Sequence, residues 1–327
     1  MSRSVSDIAV SVVGLSLIAA LTACNTNPAK TGESVSGPDA FVAAAGKGDT
    51  AAVNQFLTSG QSPDTRNAAG DTPLLAAAKA GQLDTVQLLL GKGANPNAAK
   101  ADGWSPLLAA AQGGHAPVVE ALLAKNADVN AANKDSFTPL MAAAKDSHLA
   151  ATQALLAKNA DVNAHNKDGW TALMAAAESK HAETLDALLA KGADPKVTTT
   201  DGWTAVMAAA KAGNPAAVKS LVAAGADVNA QNKDGWTALM AAAEGGDASV
   251  ATLLIEHGAK VNTATKDGWT PLMGAADKGR TEIVQVLLAH GANAAAANHQ
   301  KLTALSYAEK GKHDAIVALL NKKTARK

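Results

Sequence analysis

The 327-residue chain has one cysteine, Cys24, which cannot close a disulfide within the chain. Aromatic residues supply only 3% of the sequence against 47% hydrophobic in all, so the apolar content is mostly Ala, Val and Leu. Small side chains of this kind suit closely packed helices and argue against a deep core around a large cofactor. Neither sign of charge dominates: 29 basic residues face 29 acidic ones, which leaves no electrostatic footprint for nucleic acid. The mostly apolar run over residues 8–21 is 14 residues long, too short to span a bilayer. Nor is there a nucleophile elbow, a phosphate loop, a His-Glu-x-x-His string or a His/Cys cluster. With Asp and Glu confined to turn and surface phases of the sequence, no enzyme, cofactor or metal site is expected.

What the chain does have is a period. Thr72, Ser105, Thr138, Thr171, Thr204, Thr237, Thr270 and Thr303 each open an Ala-rich apolar run, spaced by 33 residues without insertion or deletion. One step back the phase falls on Asp39, where Phe41-Val42-Ala43-Ala44-Ala45 opens a degenerate ninth copy. A period of this length marks a solenoid, whose units bury apolar surface only by stacking on their neighbours.

Within one unit, Asp267-Gly268 is a tight-turn dipeptide that tolerates positive φ, and Thr270 suits a helix N-cap. Pro271 then stands at the first helical position, where its missing N–H costs nothing. This first helix ends near Gly279. A second helix, over residues 281–290, carries Ile283, Val284, Val286, Leu287 and Leu288, too many apolar positions for a one-sided surface helix. Gly291 supplies a left-handed stop, which Asn126 and Asn159 replace in two other units. Lys92, Lys125, Lys158, Lys191, His257 and His290 close second helices, where a cation matches the negative end of the helix dipole.

Turn, helix, turn and helix in 33 residues, opened by Thr72-Pro73-Leu74, Thr138-Pro139-Leu140 or Thr270-Pro271-Leu272 and closed by Gly225-Ala226-Asp227-Val228-Asn229, resembles the ankyrin repeat. The resemblance implies an all-α solenoid of about nine helix-turn-helix repeats with short hairpin fingers. In such an array the fingers and first helices form a concave face. The array occupies residues 39–323, with an N-terminal capping repeat at 39–71, internal repeats over 72–302 and a C-terminal capping repeat at 303–323. Numbered from the first cap, repeat 5 begins at Thr171 and repeat 9 at Thr303. Both end copies carry extra polar residues, such as Lys47, Asp49, Lys310 and His313, as the open ends of a solenoid require. One departure from the family pattern stands out: three residues after the Thr, where His is common, this chain has Leu75, Leu108, Met141, Met174, Met207, Met240 and Met273. Apolar packing is expected there in place of a polar network.

Ahead of the array, Leu21-Thr22-Ala23-Cys24 resembles a bacterial lipobox at the end of a signal segment, residues 1–23. The resemblance implies cleavage before Cys24 and its acylation, with several acyl chains giving stable anchoring. Residues 24–38, rich in turn formers, read as a flexible tether, and residues 324–327 as a basic tail. Asn25, rather than Asp, favours the outer over the inner membrane, with the array facing the periplasm.

Two rows need weighing. Trp104, Phe137, Trp170, Trp203, Trp236 and Trp269 all precede a cap residue, giving six consecutive layers an aromatic. Trp is favoured at binding hot spots, so the stripe is a candidate partner site; the same residue can instead pack on the fourth helical position as a hydrophobic staple. First-helix ends vary from repeat to repeat: Lys79, Gln112, Lys145-Asp146, Glu178, Lys211, Glu244 and Asp277-Lys278. Variation there would encode partner choice. The Lys/Asp rim of the fingers, as at Lys167-Asp168 and Lys233-Asp234, reads as solvated surface. His115, His148, His181 and His313 share one phase, but parallel side chains one layer apart cannot converge on a metal ion. The expectation is a monomeric, membrane-tethered scaffold of the bacterial envelope that binds a protein partner. Inhibition of or immunity to an envelope-targeted enzyme or toxin, and glycan or peptidoglycan binding by the Trp stripe, are the alternatives.

Overall fold

The computed structural model describes residues 37–324 apart from Lys180. The signal segment, Cys24, most of the tether and residues 325–327 lie outside the described residues, as do the expectations attached to them.

Each repeat folds as the period requires, into two helices. Repeats 1 to 3 contribute α1 (Pro38–Lys47), α2 (Thr50–Thr58), α3 (Pro73–Lys79), α4 (Leu83–Gly91), α5 (Pro106–Gln112) and α6 (Ala116–Ala124). Repeats 4 to 6 contribute α7 (Pro139–Lys145), α8 (Leu149–Ala157), α9 (Ala172–Ala177), α10 (Glu183–Ala190), α11 (Ala205–Ala212) and α12 (Pro215–Ala223). Repeats 7 to 9 contribute α13 (Ala238–Gly245), α14 (Ala248–Glu256), α15 (Pro271–Asp277), α16 (Thr281–Ala289), α17 (Ala304–Lys310) and α18 (Asp314–Thr324). Between repeats only isolated antiparallel bridges form among the described residues, such as His165 with Thr171. The molecule is an all-α solenoid.

The caps act as the sequence dictates. The Thr72 hydroxyl accepts the Leu75 N–H at 3.1 Å, and Thr138, Thr171, Thr204, Thr237 and Thr270 accept from the Met three residues on at 3.2–3.4 Å. Every one of those methionines is buried, as are Leu75 and Leu108, so the row that departs from the family pattern is an apolar seam running through the stack. Around it the first helices pack through alanines such as Ala110, Ala143, Ala176, Ala209 and Ala242, all fully buried. Methyl side chains let these helices approach closely, and the first helices pack against one another more extensively than the second helices do. Gly291, Asn126 and Asn159 adopt the left-handed stops expected of them, with φ of 83°, 62° and 59°.

Polar cross-links between repeats were not read from the sequence, and they fall into three sets. In the fingers, backbone N–H groups reach back one repeat: Lys134 to the Asp102 carbonyl at 2.8 Å, Lys233 to Asp201 at 2.8 Å and His299 to Asp267 at 2.9 Å. In the loops after the second helices, the Asn97 side chain accepts the Asp128 N–H at 2.8 Å and donates to the Asn126 carbonyl at 3.3 Å. Asn163, Asn229 and Asn262 make both bonds in their own layers. At the first-helix ends, His115 meets the Lys79 carbonyl at 3.1 Å, His148 meets Gln112 at 3.0 Å and His313 meets Asp277 at 3.2 Å. These histidines therefore cap the preceding repeat's helix rather than converge on one another. Among the described residues, no group of three or more His, Cys, Asp and Glu side chains is placed to hold a metal ion.

Candidate partner-binding surface

The Trp row is positioned by the finger beneath it. Each finger closes on itself: the Asn166 N–H donates to the Trp170 carbonyl at 2.9 Å, and the Asn166 side chain accepts the Trp170 N–H at 2.9 Å. Asn232 holds Trp236 in the same way, while Thr199 and Thr265 supply the acceptor for Trp203 and Trp269. The aromatic side chain is thus set at the root of the finger, immediately before the cap.

All six aromatics, Trp104, Phe137, Trp170, Trp203, Trp236 and Trp269, are half-buried, and five of them, from Phe137 to Trp269, pack against the Ala-rich core. Trp269 shows how. Its indole nitrogen lies so close over the first helix that a methyl on Gly274 would meet it at 3.4 Å and the Glu244 side chain at 3.7 Å. On the other side its ring meets Tyr307 of the last repeat edge-on, with centroids 4.7 Å apart. Gly274 is the fourth helical residue after the Thr270 cap, so this is the staple geometry. The indole N–H groups of Trp236 and Trp269 are buried without an acceptor. The polar end that a recognition tryptophan normally offers to a partner is turned into the stack.

The first-helix ends differ. Lys79, Gln112, Lys145, Glu178, Lys211 and Lys310 are exposed, Glu244 and Asp277 half-buried, and all share one phase. The row runs beside the aromatics: the Lys211 ammonium stands 5.9 Å from the centroid of the Trp203 ring, a cation–π contact. Burial pushes the Glu244 carboxyl above its ordinary value of 4.5, against the downward pull of Lys278 and Lys211 and with some help from Asp277. The Glu178 carboxyl is raised by burial too, opposed by Lys211 and Lys145, although part of that side chain reaches solvent. Taken as whole residues, burial along this row is confined to Glu244 and Asp277, and the other side chains reach solvent.

That shift has a consequence for stability. A carboxyl whose folded pKa is raised favours the folded state while protonated, below about pH 4.5. The advantage is lost as pH rises through the raised value. Glu244→Gln is therefore expected to raise the urea midpoint at pH 7 and to leave it unchanged at pH 4. A midpoint lowered at pH 7 would mean that the carboxylate's attraction to Lys278 and Lys211 outweighs its desolvation.

The finger rim is solvated, as expected. Lys167 and Asp135 approach to 3.8 Å with both side chains mostly exposed, a pair worth little to stability. His181 is exposed and, unlike His115 and His148, makes no ring contact with the preceding helix among the described residues.

Comparison with protein families places the whole array. The family described as ankyrin repeats in 3 copies matches residues 40–133, 131–199, 183–265 and 260–327. The chain belongs to the ankyrin-repeat family. Comparison with curated proteins gives no match. Ankyrin repeats are scaffolds for protein–protein interaction, and nothing in the array shows catalytic activity.

Proposed function

We propose that this ankyrin array binds a protein partner through the face made by its fingers and first helices, and that the first-helix ends choose the partner. One observation carries the reading. Lys79, Gln112, Lys145, Glu178, Lys211, Glu244, Asp277 and Lys310 share one phase, yet they differ in charge from layer to layer while the scaffold around them repeats. A partner offering opposite charges in the same order would pair with these side chains, among them the half-buried Glu244 carboxylate. The Trp row borders these charges and contributes apolar edges to the same face. It does so as part of the scaffold, which favours a protein over a glycan, since sugar stacking needs open ring faces.

Charge reversal at Lys145, Glu178 and Lys211 together is expected to abolish partner capture while the helical signal stays intact. Capture that survives in the folded variant would place recognition elsewhere.

The array is further proposed to work in the bacterial envelope, anchored through acylated Cys24 and facing the periplasm, with the outer membrane favoured by Asn25. The support is the Leu21-Thr22-Ala23-Cys24 string after an apolar run of signal length, with no second cysteine in the chain. Cys24→Ser is expected to leave the chain uncleaved or release it from membranes. Unchanged lipid labelling would overturn the anchor and leave the binding reading standing.

A further inference from the structure

Nine stacked repeats would ordinarily be loosest at their ends, where each terminal repeat has one neighbour. Here, of the helix-end and loop cross-links, the terminal boundaries hold one each, the loop bond of Asp64 with Asn95 between repeats 1 and 2 and the helix-end bond of His313 between repeats 8 and 9, and the middle of the array is no better fastened. Where repeats 2 and 3, 3 and 4, and 7 and 8 meet, both the helix-end bond and the loop bond are present. His115, His148 and Arg280 reach back to the carbonyls of Lys79, Gln112 and Glu244, while the loop side chains of Asn97, Asn130 and Asn262 accept from the next repeat. Each of the three consecutive boundaries between repeats 4 and 7 has lost one.

Between repeats 4 and 5 the exposed His181 makes no ring bond to the preceding helix end among the described residues, and the Ser147 hydroxyl bonds to that of Ser179 across the boundary instead. Between repeats 5 and 6 the loop bond is missing. Lys196 stands where Asn97, Asn130, Asn163, Asn229 and Asn262 stand in other repeats, and an ammonium has no acceptor for the Asp227 N–H. Asn214 alone ties this boundary at the helix end, through its bond to the Ser179 carbonyl at 2.6 Å. Between repeats 6 and 7 the helix-end position is Asp247, a carboxylate that cannot donate to a carbonyl and instead caps its own helix by accepting from Ser249 and Val250. The helices of repeat 5 are shortened as well. At six residues, α9 is the shortest among the described residues, and α10 begins at Glu183, one residue later in the period than Leu149 of α8.

The apolar seam and the finger bonds of Thr200, Lys233 and Lys266 cross all three boundaries, and α11 packs on α13 more extensively than any other helix pair. The boundary between repeats 5 and 6 is the one that combines a missing loop bond with the least extensive packing of successive second helices, α10 on α12. We propose that the boundary between repeats 5 and 6 is a compliant point at which the array flexes and opens locally, between firmer blocks at repeats 2–4 and 7–8. This goes beyond partner binding and does not depend on it. Mechanically, the two arms of the concave face can change their mutual angle without breaking either arm's own ladder.

Native-state hydrogen exchange of the full chain, read by peptide, tests this. Amides of α9 to α12 are expected to exchange about tenfold faster than the matching amides of α5 to α8. Lys196→Asn, an exposed-loop change that restores both an acceptor for Asp227 and a donor toward the Gly225 carbonyl, is expected to slow exchange in α10 and α12 at least about threefold. It should leave α5 to α8 unchanged. Protection that is uniform from α5 to α12, or that declines steadily toward the two ends, would overturn the proposal. So would a Lys196→Asn chain, shown folded by its helical signal, whose exchange matches the parent's.

Discussion

Gly103→Ala is expected to destabilise the array by about 3 kcal/mol, and Gly93→Ala, ten positions earlier in the same repeat, by about 1 kcal/mol. Both glycines have φ of 86°, so the backbone strain of an L-residue is the same at each. Their surroundings differ. A Cβ on Gly93 meets nothing within 4 Å, whereas a Cβ on Gly103 would lie 2.7 Å from Asn133 Cα and 3.1 Å from Lys134 N, in the backbone of the next finger. Gly169, Gly202, Gly235 and Gly268 face the same obstruction at 2.8–3.0 Å. The Gly of each Asp-Gly turn is therefore set by finger stacking as well as by the turn. Ser136, at φ 60°, is the non-glycine in this phase that has another finger above it, whereas Lys301, at φ 62°, stands on the last finger. The finger bond above Ser136, from Lys167 to the Asp135 carbonyl, is 3.1 Å, against 2.8–2.9 Å in the other fingers. Urea midpoints of the two Ala variants decide the matter. Equal losses would mean that the fingers part to admit a methyl, and that their stacking contributes little.

Trp236→Ala is expected to cost about 2–3 kcal/mol, somewhat less than a fully buried Trp would, while Trp236→Phe is expected to be close to neutral. The ring packs on the core, so deleting it opens a void between layers. Its N–H is buried without an acceptor, so the desolvation it suffers is relieved when Phe replaces it. Phe137 already fills this position in one repeat. Should Phe prove as costly as Ala in thermal unfolding, the indole nitrogen must be making a bond that stability depends on.

The architecture was legible because the period fixes phase, and phase fixes role. Thr caps, Gly and Asn stops and the Met row sit where the spacing put them. The Trp row shows where a sequence stops informing: one aromatic per layer is compatible with a hot spot or a staple, and the packing of the Trp269 indole nitrogen toward Gly274 and Glu244 is a contact that spacing does not mark. The shared phase of His115, His148 and His313 argued against a metal site, but their bonds run 36 residues back, to a carbonyl no pattern within one repeat marks. The Asn97 and Asn163 bonds, formed 29 and 31 residues away, stayed hidden for the same reason. The charged first-helix ends were visible as variation at fixed phase, whereas the partial burial of Glu244 and Asp277 depends on neighbours that one repeat does not show.

The central claim is that recognition runs along the first-helix ends. A photocrosslinking residue placed at Lys211, on the proposed face, and separately at Lys219, exposed on the second helix of the same repeat, tests it in intact cells. The expected result is a protein adduct from position 211 and none from position 219. An adduct from position 219 with none from position 211 would contradict the account and move the binding surface to the second helices.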